Sequence, residues 1–410
     1  KLVTRRNTDF NLSTEEVPSD GVITGFGLID GRLVYVYSQD ASALNGTVGE
    51  MHARKISHLY DLALKVGAPI IGLIDSAGMR LQEATDALDA FGKIYQKQVA
   101  ASGIIPQITA VLGNCGGGAT VLTALSDFTF ITEESGKLFV NSPNALDGNY
   151  ASKLDTAKAD FAASAGTVDF VCQGDSEVLA GIRELVSILP DNNGEDTSYD
   201  ETTDDLNRLV ANFSNELEDT SKALADLSDN NFFVEVKAEH AKDMVTGFIR
   251  LNGMTVGAVA NRTKVIDQEG QVVEKFDGTL STAGCLKAEA FIKFCDSFNI
   301  PILTLTNVTG YKATVEEEQT IAKAAAKLTY AFTSATVAKV NLIIGKAYGS
   351  AYLTMNSKHI GADLVFALDS AQIGMMDAKS AAQIMYGEDS DLVKEKTKEY
   401  ASLQSSAESA

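Results

Sequence analysis

The sequence repeats itself at long range, and this internal repeat constrains its fold more than any other feature. Three blocks match in the same order: residues 21–31 and 243–253, residues 69–78 and 301–310, and residues 106–120 and 338–352. The first pair lies 222 residues apart and the other two pairs lie 232 residues apart. Because order and spacing agree, the chain is predicted to contain two copies of one domain.

Each copy alternates strand-like and helix-like segments. Residues 21–38 read as a hairpin whose two β-rich runs are joined by Asp30 and Gly31. Residues 69–75 form an uninterrupted apolar run of the kind found in buried parallel strands. Apolar residues at helical spacing predict helices over residues 49–65, ended by Gly67, and over about 83–102. The pattern predicts an α/β fold with parallel strand pairing.

A glycine-rich turn lies at the centre of the first copy. The octapeptide from Gly113 to Thr120 follows a strand-like run and precedes a helix-like run, and Gly116, Gly117 and Gly118 are adjacent in it. Glycines allow close approach of another group, and the first N–H groups of a helix have no partner inside the helix. Two such N–H groups aimed at one carbonyl oxygen can stabilise the anion formed from it. A tight packing corner is the alternative interpretation. The turn at Gly345–Ala351 is its second copy.

Composition excludes some classes of function. The net charge of −21 and the pI of about 4.6 argue against binding to nucleic acid or to an anionic membrane surface. No apolar run is long enough for a membrane-spanning helix, and the N-terminus lacks both a signal peptide and an initiator Met, so we expect it to be processed or trimmed. Four cysteines without CxxC spacing indicate free thiols in the cytoplasm and no zinc or other metal site.

Domain boundaries are predicted from the change in composition after residue 174. Residues 189–205 are polar, acidic and rich in turn-forming residues. We therefore predict an N-terminal domain over residues 1–195, an acidic linker and helix over 196–230, and a C-terminal domain over 231–410.

The chain resembles a known family over nearly its whole length. The matching stretches are residues 21–40, 49–55, 65–71, 75–80, 113–119, 294–301, 326–332 and 345–359. In these motifs the sequence is similar to the carboxyltransferase subunit of biotin-dependent acyl-CoA carboxylases, transcarboxylases and decarboxylases, of the propionyl-CoA carboxylase β and methylmalonyl-CoA decarboxylase α type.

The resemblance implies a fold and a set of partners. The fold is two duplicated crotonase-like domains of the ClpP/crotonase superfamily, built from ββα spiral repeats. A coenzyme A thioester is the substrate, and biotin is delivered on a separate biotin carboxyl carrier protein or domain. The resemblance further implies a homo-oligomer, expected to be a hexamer with active sites between subunits. Biotin carboxylase or membrane decarboxylase subunits are the expected further partners, without nucleic acid or metal.

The resemblance also assigns functional residues. Its oxyanion-stabilising backbone groups correspond to Gly117 and Gly118 in the first copy and to Ser350 and Ala351 in the second. We expect the first pair to serve the acyl-CoA and the second to serve biotin, although the reverse assignment is equally consistent with the motifs. Residues next to the two turns are expected to contact the cofactor or the thioester: Gly78, Met79, Arg80, Gly116, Tyr348, Gly349 and Leu353.

The implied mechanism needs no side-chain base, because the biotin ureido nitrogen takes the α-proton of the thioester. His52 and His58 are accordingly interpreted as surface or interface residues, and His359 as an ordinary polar helix residue. Asp75 ends a strand, where catalytic residues and helix caps both occur. Arg54, Lys55 and Arg80 are candidates either for contacts with CoA phosphates or for ordinary surface ion pairs.

Two departures from the family pattern leave the acyl group open. Residues 307–311 read Asn-Val-Thr-Gly-Tyr where propionyl-type members have Asp-Val-Pro-Gly-Phe, and Leu353 replaces an Asp. Carboxylase or transcarboxylase activity is one hypothesis, and the reverse reaction in a sodium-pumping decarboxylase is another. A non-catalytic scaffold and a hydratase or hydrolase that needs no biotin are further alternatives.

Overall fold

The computed structural model describes residues 9–195, 199, 201–205, 207–210, 213–387 and 390–407. The chain divides into two compact units, Lys1–Ser198 and Tyr199–Ala410. Part of the segment predicted as a linker contributes to the core of the second unit, where Ala223 and Leu224 are buried. The domain bounds derived from the sequence remain a prediction.

The first unit is a seven-stranded sheet with helices packed on it. The strands of its main path follow the order β1-β2-β3-β4-β5-β7, and β6 pairs with the end of β4. Its elements are β1 (Val22–Ile29), β2 (Arg32–Gln39), α1 (Glu50–Val66), β3 (Ile70–Ser76), α2 (Ala84–Ala101), β4 (Gln107–Gly116), α3 (Gly118–Ala124), β5 (Phe128–Thr132), β6 (Lys137–Phe139), α4 (Asn149–Ser152), α5 (Ala159–Ser164), β7 (Phe170–Cys172) and α6 (Asp175–Ile188).

The second unit contains a seven-stranded sheet of matching topology. Its main path has the order β17-β16-β14-β10-β9-β8, and β18 pairs with the end of β16. The elements are α7 (Phe213–Glu216), α8 (Thr220–Leu227), β8 (Phe233–Val236), β9 (Met244–Leu251), β10 (Met254–Asn261), β11 (Lys264–Ile266), β12 (Val272–Lys275), β13 (Thr279–Leu280), α9 (Thr282–Ser297), β14 (Ile302–Val308), β15 (Gly310–Tyr311), α10 (Val315–Glu318), α11 (Ile321–Ser334), β16 (Lys339–Tyr348), α12 (Gly349–Thr354), β17 (Leu364–Ala367), β18 (Gln372–Gly374), α13 (Ala378–Tyr386) and α14 (Ser390–Gln404).

The strand registers confirm the duplication. The antiparallel hairpin β1–β2 corresponds to β9–β10, and the parallel pair β3–β4 corresponds to β14–β16. Ser76 pairs with Cys115 in the first unit, and Val308 pairs with Ala347 in the second, so both partners lie 232 residues later. Each ladder is also irregular immediately before this pair. The predicted α/β class with parallel pairing is therefore correct.

Helix α1 shows why the apolar spacing produces this layer. Its buried side chains include Ile56, Leu59 and Tyr60, which lie on one face and join the core beneath the sheet. Burying side chains of this size contributes about 1.5–3 kcal/mol each. Gly67 ends the helix with a φ of 74°, and its N–H donates to the carbonyl of Ala63. Within the described part of the chain, no helix has the length and apolar character needed to cross a membrane.

Candidate active site

The glycine-rich turn of the first unit joins strand β4 to helix α3. Strand β4 ends at Gly116 and α3 begins at Gly118. Between them, Gly117 has φ 59° and ψ −126°, a conformation that side chains other than hydrogen rarely adopt. The turn is therefore a sharp corner that only glycine forms without strain.

The hydrogen bonds of this corner correct one predicted residue. The Gly117 N–H donates to the carbonyl of Phe139 over 2.9 Å, so it is already used to hold β6 against the turn. The Thr120 N–H donates to the carbonyl of Gly117. Among the described residues, no acceptor faces the N–H groups of Gly118 and Ala119. The free donors of the first turn are therefore Gly118 and Ala119, and Gly117 supplies the backbone bend.

The second turn has the same conformation. Gly349 has φ 59°, as its counterpart Gly117 does, and helix α12 begins there. Within the described ranges, the N–H groups of Ser350 and Ala351 have no hydrogen-bond acceptor. These two residues lie 232 positions after Gly118 and Ala119. The corrected first pair and the predicted second pair are thus equivalent positions, and this register is the signal by which the sequence could have identified Ala119.

Three further glycines of the first turn allow close packing. A Cβ at Gly118 would lie 3.1 Å from both the Phe91 ring and the Tyr95 hydroxyl, and that hydroxyl donates to the Gly118 carbonyl over 2.7 Å. A Cβ at Gly116 would lie 3.0 Å from the Phe139 ring. Gly78 has φ 105° and faces the Gly116 carbonyl, so these two predicted contact residues lie side by side.

Arg80 was predicted to contact the cofactor or substrate, and the structure contradicts this. Its guanidinium is fully buried, pairing with Asp20 at 2.6 Å and Glu83 at 2.9 Å. It also donates to the carbonyl of Thr47 over 2.8 Å. Since all these partners belong to the protein interior, Arg80 cannot meet a CoA phosphate. The adjacent Met79 is 38% exposed and remains available to a ligand.

The other basic and histidine candidates near α1 are also engaged. Lys55 donates to the carbonyls of Ser19 and Val22, and half-exposed Arg54 pairs with Glu50 at 2.7 Å. His52 is buried, which corrects its predicted surface position. Burial, followed by the nearby charge of Arg80, lowers the pKa of His52 to about 3. His52 is therefore neutral and structural, while His58 is exposed as predicted.

A pocket of about 660 Å³ opens in front of the second turn. Leu353 lines it, and its side chain is 39% exposed. His359 also lines it and meets the ring of Tyr352 edge-on at 6.4 Å, so the view of His359 as an ordinary polar helix residue was incomplete. The lining comprises Gly349, Ser350, Tyr352, Leu353, His359, Ile373, Gly374, Met375, Tyr400 and Gln404.

Tyr348 does not belong to this lining. Its side chain is buried, and its hydroxyl donates to Gln372 Oε1 over 2.5 Å. It therefore ties β16 to β18 and supports the turn from behind. This corrects its prediction as a residue that contacts the cofactor, whereas Tyr352 does reach the pocket.

A smaller pocket of about 270 Å³ occupies the equivalent place in the first unit. Thr120, Leu138, Phe139 and Val140 line it, where the second unit has Tyr352, Ile373, Gly374 and Met375. The Phe139 ring lies where Gly374 has no side chain, which accounts for part of the difference in size. The sequence did not reveal these residues because β6 and β18 join the site from later segments. Among the described residues, no cluster of His, Cys, Asp and Glu could hold a metal ion.

Comparison with known sequences decides the family. The carboxyl transferase domain matches this chain over residues 1–410. The chain belongs to the carboxyl transferase family. The β chain of propionyl-CoA carboxylase from Roseobacter denitrificans is 39% identical to this carboxyltransferase, over 94% of this chain and 76% of its own length. Subunit α of methylmalonyl-CoA decarboxylase from Propionigenium modestum is 37% identical, over 95% of this chain and 75% of its own.

Solved structures confirm the fold of the carboxyltransferase. Transcarboxylase 12S, a hexamer solved with hydrolysed methylmalonyl-coenzyme A bound, superposes with a TM-score of 0.92 at 33% identity, covering 100% of this chain and 80% of its own. A single-chain long-chain acyl-CoA carboxylase shares the fold with a TM-score of 0.78 at 20% identity. The predicted pair of crotonase-like domains is therefore correct, and the protein is a biotin-dependent acyl-CoA carboxyltransferase.

Proposed function

We propose that the two turns divide the carboxyltransferase reaction between them. The Gly118 and Ala119 N–H groups hold the thioester oxygen as the enolate forms, and the Ser350 and Ala351 N–H groups hold the ureido oxygen of biotin. The observation that carries the proposal is that both copies of one turn present two N–H groups without an acceptor among the described residues. Two such sites match a reaction in which two carbonyl compounds each develop negative charge.

The chemistry of the two pockets fits these two partners. The pocket of the second unit has unpaired N–H groups on one side and Leu353, Ile373 and Met375 on others, which suits a ureido ring fused to an apolar ring. In the first unit, exposed Met79 and the glycine pair Gly78 and Gly116 provide a surface for the CoA thioester. Bound biotin supplies the ureido nitrogen that carries the carboxyl group.

The chain itself contributes fixed donors in this proposal. The bend at Gly117, held by its bond to Phe139, sets the direction of the next two N–H groups before any substrate arrives. Tyr95 holds the carbonyl of Gly118 from the other side. Donors that need no reorganisation stabilise the transition state more than the ground state, and loss of one typically costs about 10²–10³ in rate.

The partners follow from the relatives. Transcarboxylase 12S is a hexamer, which supports a homo-oligomer for this chain. We propose a separate biotin carrier, and a cytoplasmic location on the basis of four buried free cysteines. One relative is a carboxylase subunit and the other a decarboxylase subunit at nearly equal identity. The chain therefore works with biotin carboxylase or, in the reverse direction, with the membrane subunits of a sodium-pumping decarboxylase.

Biotin dependence is the test of the proposed function. The protein is mixed with malonyl-, methylmalonyl- or glutaconyl-CoA, with and without free biotin, and the decarboxylated thioester is quantified by chromatography. We expect one member of the panel to lose its carboxylate only when biotin is present. Hydration or hydrolysis of the thioester at equal rates with and without biotin contradicts the proposal.

A further inference from the structure

We propose that Asp75 and Asn307 are the positioning residues of the two turns. Each ends the strand that neighbours a turn, and each uses its side chain to hold the turn's approach strand in a bulge. Neither touches the donor N–H groups themselves. The inference rests on the proposed function, because it explains how the donor pairs are aimed.

The first observation is a β-bulge in front of the first turn. The pairing of β3 with β4 passes from Ile74–Val111 directly to Ser76–Cys115, so β4 carries two extra residues opposite Asp75. An extra residue in a bulge loses its ladder partner. Here the side chain of Asp75 replaces that partner, since the Asn114 N–H donates to Asp75 Oδ1 over 2.9 Å.

The second unit repeats this arrangement with a different side chain. The pairing of β14 with β16 passes from Thr306–Ile343 to Val308–Ala347, opposite Asn307. The Lys346 N–H donates to Asn307 Oδ1 over 2.9 Å. One unit uses a carboxylate and the other uses an amide at the same distance. The common requirement is thus an oxygen acceptor rather than a negative charge.

A residue on the next strand holds each acceptor in place. The Asp75 N–H donates to Gln39 Oε1 over 3.3 Å, and the Asn307 N–H donates to Asn261 Oδ1 over 3.1 Å. Gln39 in turn lies 3.1 Å from the ring of His52, measured from Nε2 to Nε2. The acceptor is therefore tied to the interior of its own unit.

Two glycines provide the space for the acceptors. A Cβ at Gly113 would lie 2.3 Å from the carboxylate carbon of Asp75, and a Cβ at Gly345 would lie 2.6 Å from Asn307 Oδ1. Neither glycine has a positive φ. Their lack of a side chain thus serves the bulge, so the first glycine of each turn motif admits the acceptor rather than a ligand.

The bulge determines where the donors point. It lies directly before the last residues of β4, which lead through Gly117 into the Gly118 and Ala119 donors. Without the acceptor, the Asn114 N–H loses its partner and the strand end is free to shift. A misplacement of about 1 Å can cost roughly 10²-fold in rate even when the changed residue lies away from the chemistry.

The test compares removal and conservative replacement of the acceptor. We expect Asp75→Ala and Asn307→Ala each to lower kcat for biotin-dependent decarboxylation about 10²-fold. KM for the CoA ester and for free biotin should change by less than about threefold, since the donors act on charge that develops in the transition state. Asp75→Asn should restore kcat to within about threefold of the unchanged protein, because the second unit holds an amide in this geometry. Asp89→Ala, which removes an exposed carboxylate paired with Lys93, is the matched control and should not change kcat.

Two results would overturn the inference while the proposed function stands. One is an Asp75→Ala protein that keeps the kcat of the unchanged chain. The other is an Asp75→Asn protein that is as slow as Asp75→Ala, and this comparison remains decisive even if the alanine variant does not fold. If the unchanged protein shows no biotin dependence, the proposed function fails on its own. A crystal structure of Asp75→Asn then decides the inference, and loss of the bulge at Asn114 in that structure contradicts it.

Discussion

Replacing Ser350 by proline should lower kcat for biotin-dependent decarboxylation about 10²–10³-fold. Proline has no N–H, so the substitution deletes one of the two donors of the second turn. The fold should tolerate it, because Ser350 lies in the first turn of α12, where the N–H has no partner in the helix. The preceding residue, Gly349, has φ 59° and so lies outside the helical region that proline disfavours before it.

Ser350→Ala is the matched control for this result. It keeps the N–H and removes only an exposed hydroxyl, so we expect kcat to remain close to that of the unchanged protein. Both proteins should form the same oligomer by light scattering. Equal kcat values for the proline and alanine variants would remove the Ser350 N–H from the mechanism. An alanine variant as slow as the proline variant would assign the role to the hydroxyl.

Replacing Arg80 by alanine should destabilise the first unit by about 3–5 kcal/mol. The substitution leaves the carboxylates of Asp20 and Glu83 buried without their cation. Glu83 also accepts the Glu50 N–H at the start of α1 over 2.7 Å, so the loss extends to the helix end. Denaturant unfolding followed by circular dichroism measures the change, because the chain contains no tryptophan.

Arg54→Ala is the control for the buried ion pair. Arg54 pairs with Glu50 at the surface, and pairs of this kind contribute about 0–1 kcal/mol. The Arg80 variant should therefore lose several times more stability than the Arg54 variant. Unchanged stability of Arg80→Ala together with a raised KM for the CoA ester would restore Arg80 as a substrate contact.

The repeat made most of the fold predictable from the sequence. A duplicated strand, turn and helix pattern is a local signal, and the hairpins, the buried strands and α1 lie where the spacing indicated. The two turns were also recognisable, because a glycine-rich corner between a strand and a helix depends on neighbouring residues. Which N–H groups are free was not predictable, since the partner of Gly117 is Phe139 on a later strand.

The misplaced residues share a physical reason. Arg80 and His52 carry polar side chains, and a single sequence suggests exposure for both. Their burial depends on Asp20, which lies 60 residues before Arg80 and receives both its guanidinium and the backbone N–H of His52. The Asp75 acceptor was likewise hidden, because a bulge appears only when two distant strands are paired. Charge satisfaction and strand register are long-range properties, and local pattern does not encode them.

The most direct test of the central claim follows the carboxyl group itself. Methylmalonyl-CoA labelled with ¹³C in its free carboxylate is incubated with the protein and free biotin, and the label is followed by ¹³C NMR. The proposed division of the reaction predicts that a carbamate signal on biotin rises as the thioester carboxylate signal falls, and that Ser350→Pro suppresses both changes. Release of the label as bicarbonate at the same rate with and without biotin, and with no carbamate signal, would contradict it.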